Sequence, residues 1–484
     1  MLPLPFRSAK DLASLIRRKK VGALELLELY VRRMERYNSR INAIIATDLD
    51  AARKRARAAD RALARGEVWG PLHGVPMTIK ESYDVVGMPT TWGVPALKDN
   101  YPTRNALAVD RMLAAGVVLF GKTNVPIHLA DWQSYNAHYG TTNNPWDVTR
   151  TPGGSSGGSA AALAAGLTGI EAGSDIGSSI RNPAHYCGVF GLKPTWTVVP
   201  PRGQAMPGKI TVTDISVVGP LARSADDLDI ALAATAGPDE IDAAGWRLVL
   251  PAPRKKTLRE YRVAVMFEAP ESAVDVEVKD RLQALVDFLG KRRVKVSDRT
   301  RPDVDTAEAQ RVYVALLRAA TAGRLTGEEF QRHLEDARRL PPPDQSYYAR
   351  MVRANTIYHK DWLALNEARH HMREKWAAFF AEWDLLLCPP AASAAFPHDH
   401  HGERWERTIV VNGRRVPTTD QLFWAGYPGM VYLPAAVAPC GFTPAGLPVG
   451  VQIVAPQYGD RTAVHFARLL EREFQGFAPP PGYE

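Results

Sequence analysis

The chain has 484 residues, 45% of them hydrophobic and 23% charged, with a formal net charge of +8. This is the composition of a globular, soluble protein with a substantial core, and no long uncharged apolar run suggests a membrane span. The positive balance comes from runs such as Arg53-Lys54-Arg55-Ala56-Arg57 and Lys291-Arg292-Arg293; they sit among helix formers without interleaved aromatics, which excludes a nucleic-acid groove in favour of solvated helix faces.

The opening stretch "MLPLPFRSAKDLASLI" lacks the basic, apolar and small-residue segments of a secretory signal, so a cytoplasmic location is expected. Residues 1–65 read as N-terminal helices, with Ser8 and Asp11 in capping spacing and Leu12, Leu15 and Ile16 on one stripe. From residue 66 to about 235 the texture changes. Short apolar runs alternate with glycine-punctuated helix patterns, as in "RMLAAGVVLFGKTN", and predict an α/β core built on a mixed sheet. Residues 240–390 are richer in charge and helix formers, with Pro341-Pro342-Pro343 as a break, and are expected to form a helical layer or lid. Residues 391–484 return to β-branched runs with turn glycines and prolines, and are expected to rejoin the sheet. Cys187, Cys388 and Cys440 lie far apart without a C-x-x-C pair, and read as buried free thiols with no metal site.

Three motif matches fail on context. Gly116 to Thr123 fits a phosphate-loop pattern, but Val117, Val118, Leu119 and Phe120 are bulky and apolar where a loop must curl round phosphates, so the segment reads as a buried strand. Gly153-Gly154-Ser155-Ser156-Gly157 fits the nucleophile elbow of α/β-hydrolases, yet the proline-containing "NNPWDVTRTP" before it cannot be the strand that elbow requires. His398-Asp399-His400-His401 has metal-binding composition in a polar, proline-flanked stretch, and reads as a solvated loop.

Lys80, Ser155 and Ser179 remain. Ser155 stands among glycines that permit unusual backbone geometry, and Ser179 follows "GSDIGS", where Gly177 lets successive amides point into one concavity. Such amides can hold an oxyanion. Lys80 closes the apparent strand "VPMTIK", with Thr78 and Lys80 on the face opposite Val75, Met77 and Ile79, and taken alone it reads as a surface lysine at a strand end.

The segments "GVPMTIKESYDVVGMPTTWG", "AAGVVLFGKTNVP", "TTNNPWD", "GGSSGGSAAALAAG", "GSDIGSSIRNPAHYCGVFGLKPT", "ISVVGPLARSADDL" and "CGFTPAGLPVGVQIVAP" together resemble the amidase signature hydrolases, in that family's order. The separations of 75 residues from Lys80 to Ser155 and 24 from Ser155 to Ser179 also match its pattern. The resemblance spans most of the chain. It implies one α/β/α domain over residues 1–484, a central mixed sheet covered by helices on both faces, and no cofactor. Ser179 aligns with the family's nucleophile, Ser155 with the bridging serine that follows a cis peptide bond, and Lys80 with the general base. Ile176, Gly177 and Ser178 align with the oxyanion amides, and Trp132 and Gln133 with a segment that lines the acyl pocket. The family usually carries a second glycine where this chain has Ser178.

The implied activity is amide hydrolysis through an acyl-enzyme on Ser179. Lysine serves as base only when neutral, so burial must lower its pKa. Aryl or apolar amides would suit Trp92, Trp132, Tyr135, Trp146, Trp196 and Trp424, should several face the pocket. The chain is also similar to bacterial urethane-cleaving members, which keeps carbamate or ester cleavage open. A glutamine-hydrolysing subunit of a tRNA-dependent amidotransferase is the other alternative. The expected partner is a small-molecule amide or carbamate, with no nucleic acid or membrane, on a monomer or homodimer.

Overall fold

A computed structural model describes residues 2–484. Eight strands form one mixed sheet in the order Lys295–Ser297, Arg262–Val265, Leu385–Cys388, Pro448–Val454, Ala435–Phe442, Phe190–Lys193, Val217–Ala222 and Glu171–Asp175. The first three run parallel, and every later pairing is antiparallel. Helices cover both faces, so the architecture is the expected α/β/α one. Strands such as Leu385–Cys388 and Pro448–Val454 are buried along their whole length, which is why they read as continuous apolar runs.

A second sheet of three strands places Val118–Thr123 between Ile44–Thr47 and Pro76–Lys80. The phosphate-loop match at 116–123 is thus largely a strand. Pro76–Lys80 lies against the edge of the large sheet: the Gly169 amide donates to the Pro76 carbonyl at 3.0 Å, and the Thr78 amide to Thr168 Oγ1 at 2.9 Å. Thr78 and Lys80 consequently face the junction of the two sheets, and the strand is buried on both sides.

Two sequence-based boundaries differ from the structure. Ile44–Thr47, inside the region predicted as wholly helical, is a strand antiparallel to Val118–Thr123; β-branched residues fit such a position, but four residues carry too little periodicity to announce it. Residues 240–390 hold the long helices Thr306–Thr321 and His359–Glu382 but also supply three strands of the large sheet. These are three or four residues long and are obscured in the sequence by the charged helices around them.

Two short helices carry the glycine-serine segment. Gly157–Ala164 and Arg181–Cys187 are buried at every residue. Gly158 allows a backbone approach that no other residue would: a Cβ there would stand 2.7 Å from the Asn124 carbonyl oxygen. The segment is core, not tether. All three cysteines are free and buried, and burial pushes the Cys388 and Cys440 thiols up to about 12 and Cys187 upward as well. Among the described residues no helix is long and apolar enough to cross a membrane.

Candidate active site

Lys80 ends its strand with its side chain wholly buried. Its Nζ lies 2.7 Å from Ser155 Oγ, 2.9 Å from Ser156 Oγ and 3.0 Å from Ser174 Oγ. Three hydroxyls and no carboxylate surround the amine. A neutral amine has two N–H donors and one lone pair, so such a ring lets it donate twice and accept once. Burial drives the Lys80 pKa well below that of an ordinary lysine; Asp175 opposes the shift and Arg324 adds to it.

Ser155 and Ser179 each stand two residues ahead of one of the buried helices, and the loops are tied by the Ser156 amide donating to the Ser179 carbonyl at 3.1 Å. The Gly154–Ser155 peptide bond is cis. Ser155 and Ser179 line one cavity of about 190 Å³, and Ser179 also opens into a second of about 370 Å³.

The loop before Ser179 is held from both sides. Trp132 Nε1 donates to the Gly177 carbonyl at 2.7 Å, and Tyr313 Oη to the Ile176 carbonyl at 3.1 Å. Fixing those carbonyls fixes the peptide planes, and with them the direction of the following amides. The amides of Ile176, Gly177 and Ser179 have no acceptor among the described residues. Ser178 differs from the expectation for it: its amide already donates to Asp175 Oδ1 at 2.9 Å. Ser178 adopts φ +76°, a left-handed conformation that glycine takes more readily. Its side chain is buried, with the hydroxyl 3.4 Å from the Pro390 carbonyl, so the extra hydroxymethyl lines neither cavity.

Asp175 anchors the turn. Its carboxylate also accepts from the Ile180 amide at 3.0 Å and forms a two-point pair with Arg181, Nη2 to Oδ1 at 2.8 Å and Nε to Oδ2 at 3.0 Å. Burial alone would raise the Asp175 pKa, but Arg181, helped by Lys193 and the Ile180 amide, holds it down to about 2. Both side chains are fully buried, so removing one leaves an uncompensated charge. Arg181→Met is expected to lower stability by about 3–5 kcal/mol in urea unfolding; an unchanged midpoint and slope would refute this account of the pair.

The larger cavity is lined by Ser179 with Trp132, Tyr135, Leu129, Ile176, Leu317 and Leu422, and also by five arginines and the acids Asp131, Glu329 and Glu403. Trp92 lines the smaller one. Trp146, Trp196 and Trp424 line neither; Trp424, for instance, is 1% exposed in the core. Gln133 is also outside both, because its amide pairs with the Asp399 backbone, Nε2 to the carbonyl at 2.5 Å and Oε1 from the amide at 2.9 Å. The loop at 398–401 is thereby docked, with His400 stacked on Tyr135 at 3.7 Å, and is less solvated than its composition predicts. Among the described residues, no group of three or more His, Cys, Asp or Glu side chains is placed to hold a metal ion.

Sequence reasoning passed over Ser156 and Ser174, whose only signal is position beside the glycines, and Tyr313 and Arg324, which reach the site from the helical region with no local motif.

The sequence matches the Amidase family over residues 25–464. It is 33% identical over 473 residues to an acylamidase of Rhodococcus erythropolis, covering 96% of this chain and 95% of that one. It is 30% identical over 482 residues to a glutamyl-tRNA(Gln) amidotransferase subunit from Anaeromyxobacter sp. (strain K), covering 96% and 95%. A crystal structure of a bacterial aryl acylamidase of the amidase signature family superposes with a TM-score of 0.82 at 23% identity over 99% of both chains, a likeness of fold. Fold, motif order and family match together place this chain in the amidase signature family, hydrolases that act on amide C–N bonds.

Proposed function

We propose that the chain is a serine hydrolase that cleaves aryl or apolar amides through an acyl-enzyme on Ser179. The observation that carries this reading is a buried, carboxylate-free Lys80 amine bonded to Ser155 beside the cavity that Ser179 lines. Ser179 Oγ attacks the substrate carbonyl as its proton passes to Ser155, whose own proton passes to Lys80 Nζ. The amides of Ile176, Gly177 and Ser179 receive the oxyanion, each donor lowering the barrier by on the order of 3 kcal/mol. Lys80 returns its proton through Ser155 to the leaving nitrogen, the C–N bond breaks and the amine departs. Water then attacks the ester, its proton takes the same route back to Ser179, and the acid is released. No cofactor or metal enters these steps.

The apolar lining of the larger cavity supports an aryl or alkyl acyl group, in keeping with the acylamidase relative. The amidotransferase relative favours a second reading, glutamine hydrolysis within a complex. A panel of an aryl amide, the matching aryl carbamate and ester, and glutamine, given to the isolated chain, separates these. Turnover of the aryl amide with kcat/KM far above glutamine is expected; glutamine alone, or only with partner proteins, would overturn it. Carbamate turnover would widen the substrate class on the same machinery.

A further inference from the structure

Resting on that reading, we propose that the amine half of the preferred substrate carries a carboxylate, held in the smaller cavity by Arg324 with Lys209 at its mouth. The two cavities meet at Ser179, Ile176, Leu129 and Arg324, yet Ser155 lines only the smaller one. The group that hands the proton to the leaving nitrogen must reach that nitrogen. The amine half therefore lies in the smaller cavity and the acyl half in the larger.

The chemistry of the two cavities then differs in a telling way. The larger combines apolar residues with four further arginines and three acids, Asp131, Glu329 and Glu403, with Asp131 paired to Arg407 at 2.7 Å. The smaller is lined by hydroxyl and amide groups, including Ser174, Gln204, Thr213 and Ser216, with Arg324 and Lys209 as its charges and no aspartate or glutamate. Arg324 Nη1 donates to the His128 carbonyl at 2.8 Å, and the guanidinium stacks 5.4 Å over Trp92. Among the described residues it has no ion-pair partner, and Arg318 adds like charge from the side of the larger cavity. Burial and Arg318 lower its pKa to about 10, so it stays cationic at neutral pH. A partly desolvated cation with unused N–H donors, lining the same cavity as the reacting serine, is built to receive a planar anion in two-point fashion. A simple alkylammonium product would be repelled there, whereas an amine with its own carboxylate is not.

The test uses the full chain and three phenylacetyl anilides: the 4-carboxyanilide, its neutral 4-carboxamide partner, and an anilide with the carboxylate moved to the acyl ring. We expect kcat/KM for the 4-carboxyanilide to exceed that of the carboxamide by roughly ten- to a hundredfold. The ratio should fall towards one in Arg324→Gln, and partway in Lys209→Gln. Equal rates for the first pair, an unchanged ratio in Arg324→Gln, or a preference for the acyl-side carboxylate would each overturn the assignment. Calorimetric binding of 4-aminobenzoate against 4-aminobenzamide reads the same subsite without turnover. Selective binding of the benzoate, lost in Arg324→Gln, supports the subsite even where all anilides resist hydrolysis and the catalytic reading fails. No selectivity would overturn the subsite even where neutral anilides are cleaved.

Discussion

Ser179→Ala is expected to abolish amide hydrolysis, with kcat falling by on the order of 10⁶-fold, while the protein unfolds at the same urea concentration. The size of the loss follows from the proposed chemistry: with no hydroxyl at 179 there is no acyl-enzyme, and the amides of Ile176, Gly177 and Ser179 can only polarise the carbonyl for direct attack by water. Stability should hold because Ser179 makes its structural bond through its backbone carbonyl, to the Ser156 amide. A serine-directed fluorophosphonate, mapped by peptide mass, should label Ser179 in the parent and nothing in the variant. Labelling of Ser155 in the parent, or appreciable turnover by Ser179→Ala, would move the nucleophile elsewhere.

Replacing Lys80 by methionine should lower kcat/KM by about 10²–10⁴-fold, the usual share of a positioned acid-base group. The pH profile is the sharper readout. Because the base must be neutral, activity is proportional to the deprotonated fraction: it rises about tenfold per pH unit below the Lys80 pKa and levels above it. Burial has lowered that pKa, so the rise should fall in a pH range below that of an ordinary lysine, where such a lysine would still be protonated. Lys80→Met should lose the rise along with the rate. A parent profile flat over this range, with chemistry limiting, would mean that some other group takes the proton.

Much of the candidate site could be read along the chain. The glycines mark Ser155 and Ser179, whereas Lys80 stands out only through the resemblance to the amidase signature segments, and the structure brings Lys80 and Ser155 to 2.7 Å. Context decided the decoys in the same way: bulky Val118, Leu119 and Phe120 made a strand, whatever the glycines on either side allowed. What stayed hidden depends on distant packing. Tyr313 reaches Ile176 across 137 positions of chain, and nothing near Tyr313 distinguishes it from any other tyrosine on an amphipathic helix. The Ser178 amide is taken up by Asp175, whose side chain turns back on it from three residues earlier. Gln133 looked available for substrate until the 399 loop closed over it. The three short strands at 262–265, 295–297 and 385–388 are brief enough that their state is settled by the neighbours they pair with.

The burial of all three thiols has a practical side. Alkylating reagents and maleimides attack thiolates, and thiols shielded by the core and held protonated far into the alkaline range present almost none. The folded native chain is in effect blank to that chemistry, so one cysteine introduced at an exposed position far from residues 80, 155 and 179 would be its single reactive handle, suited to oriented immobilisation or to a fluorescent label.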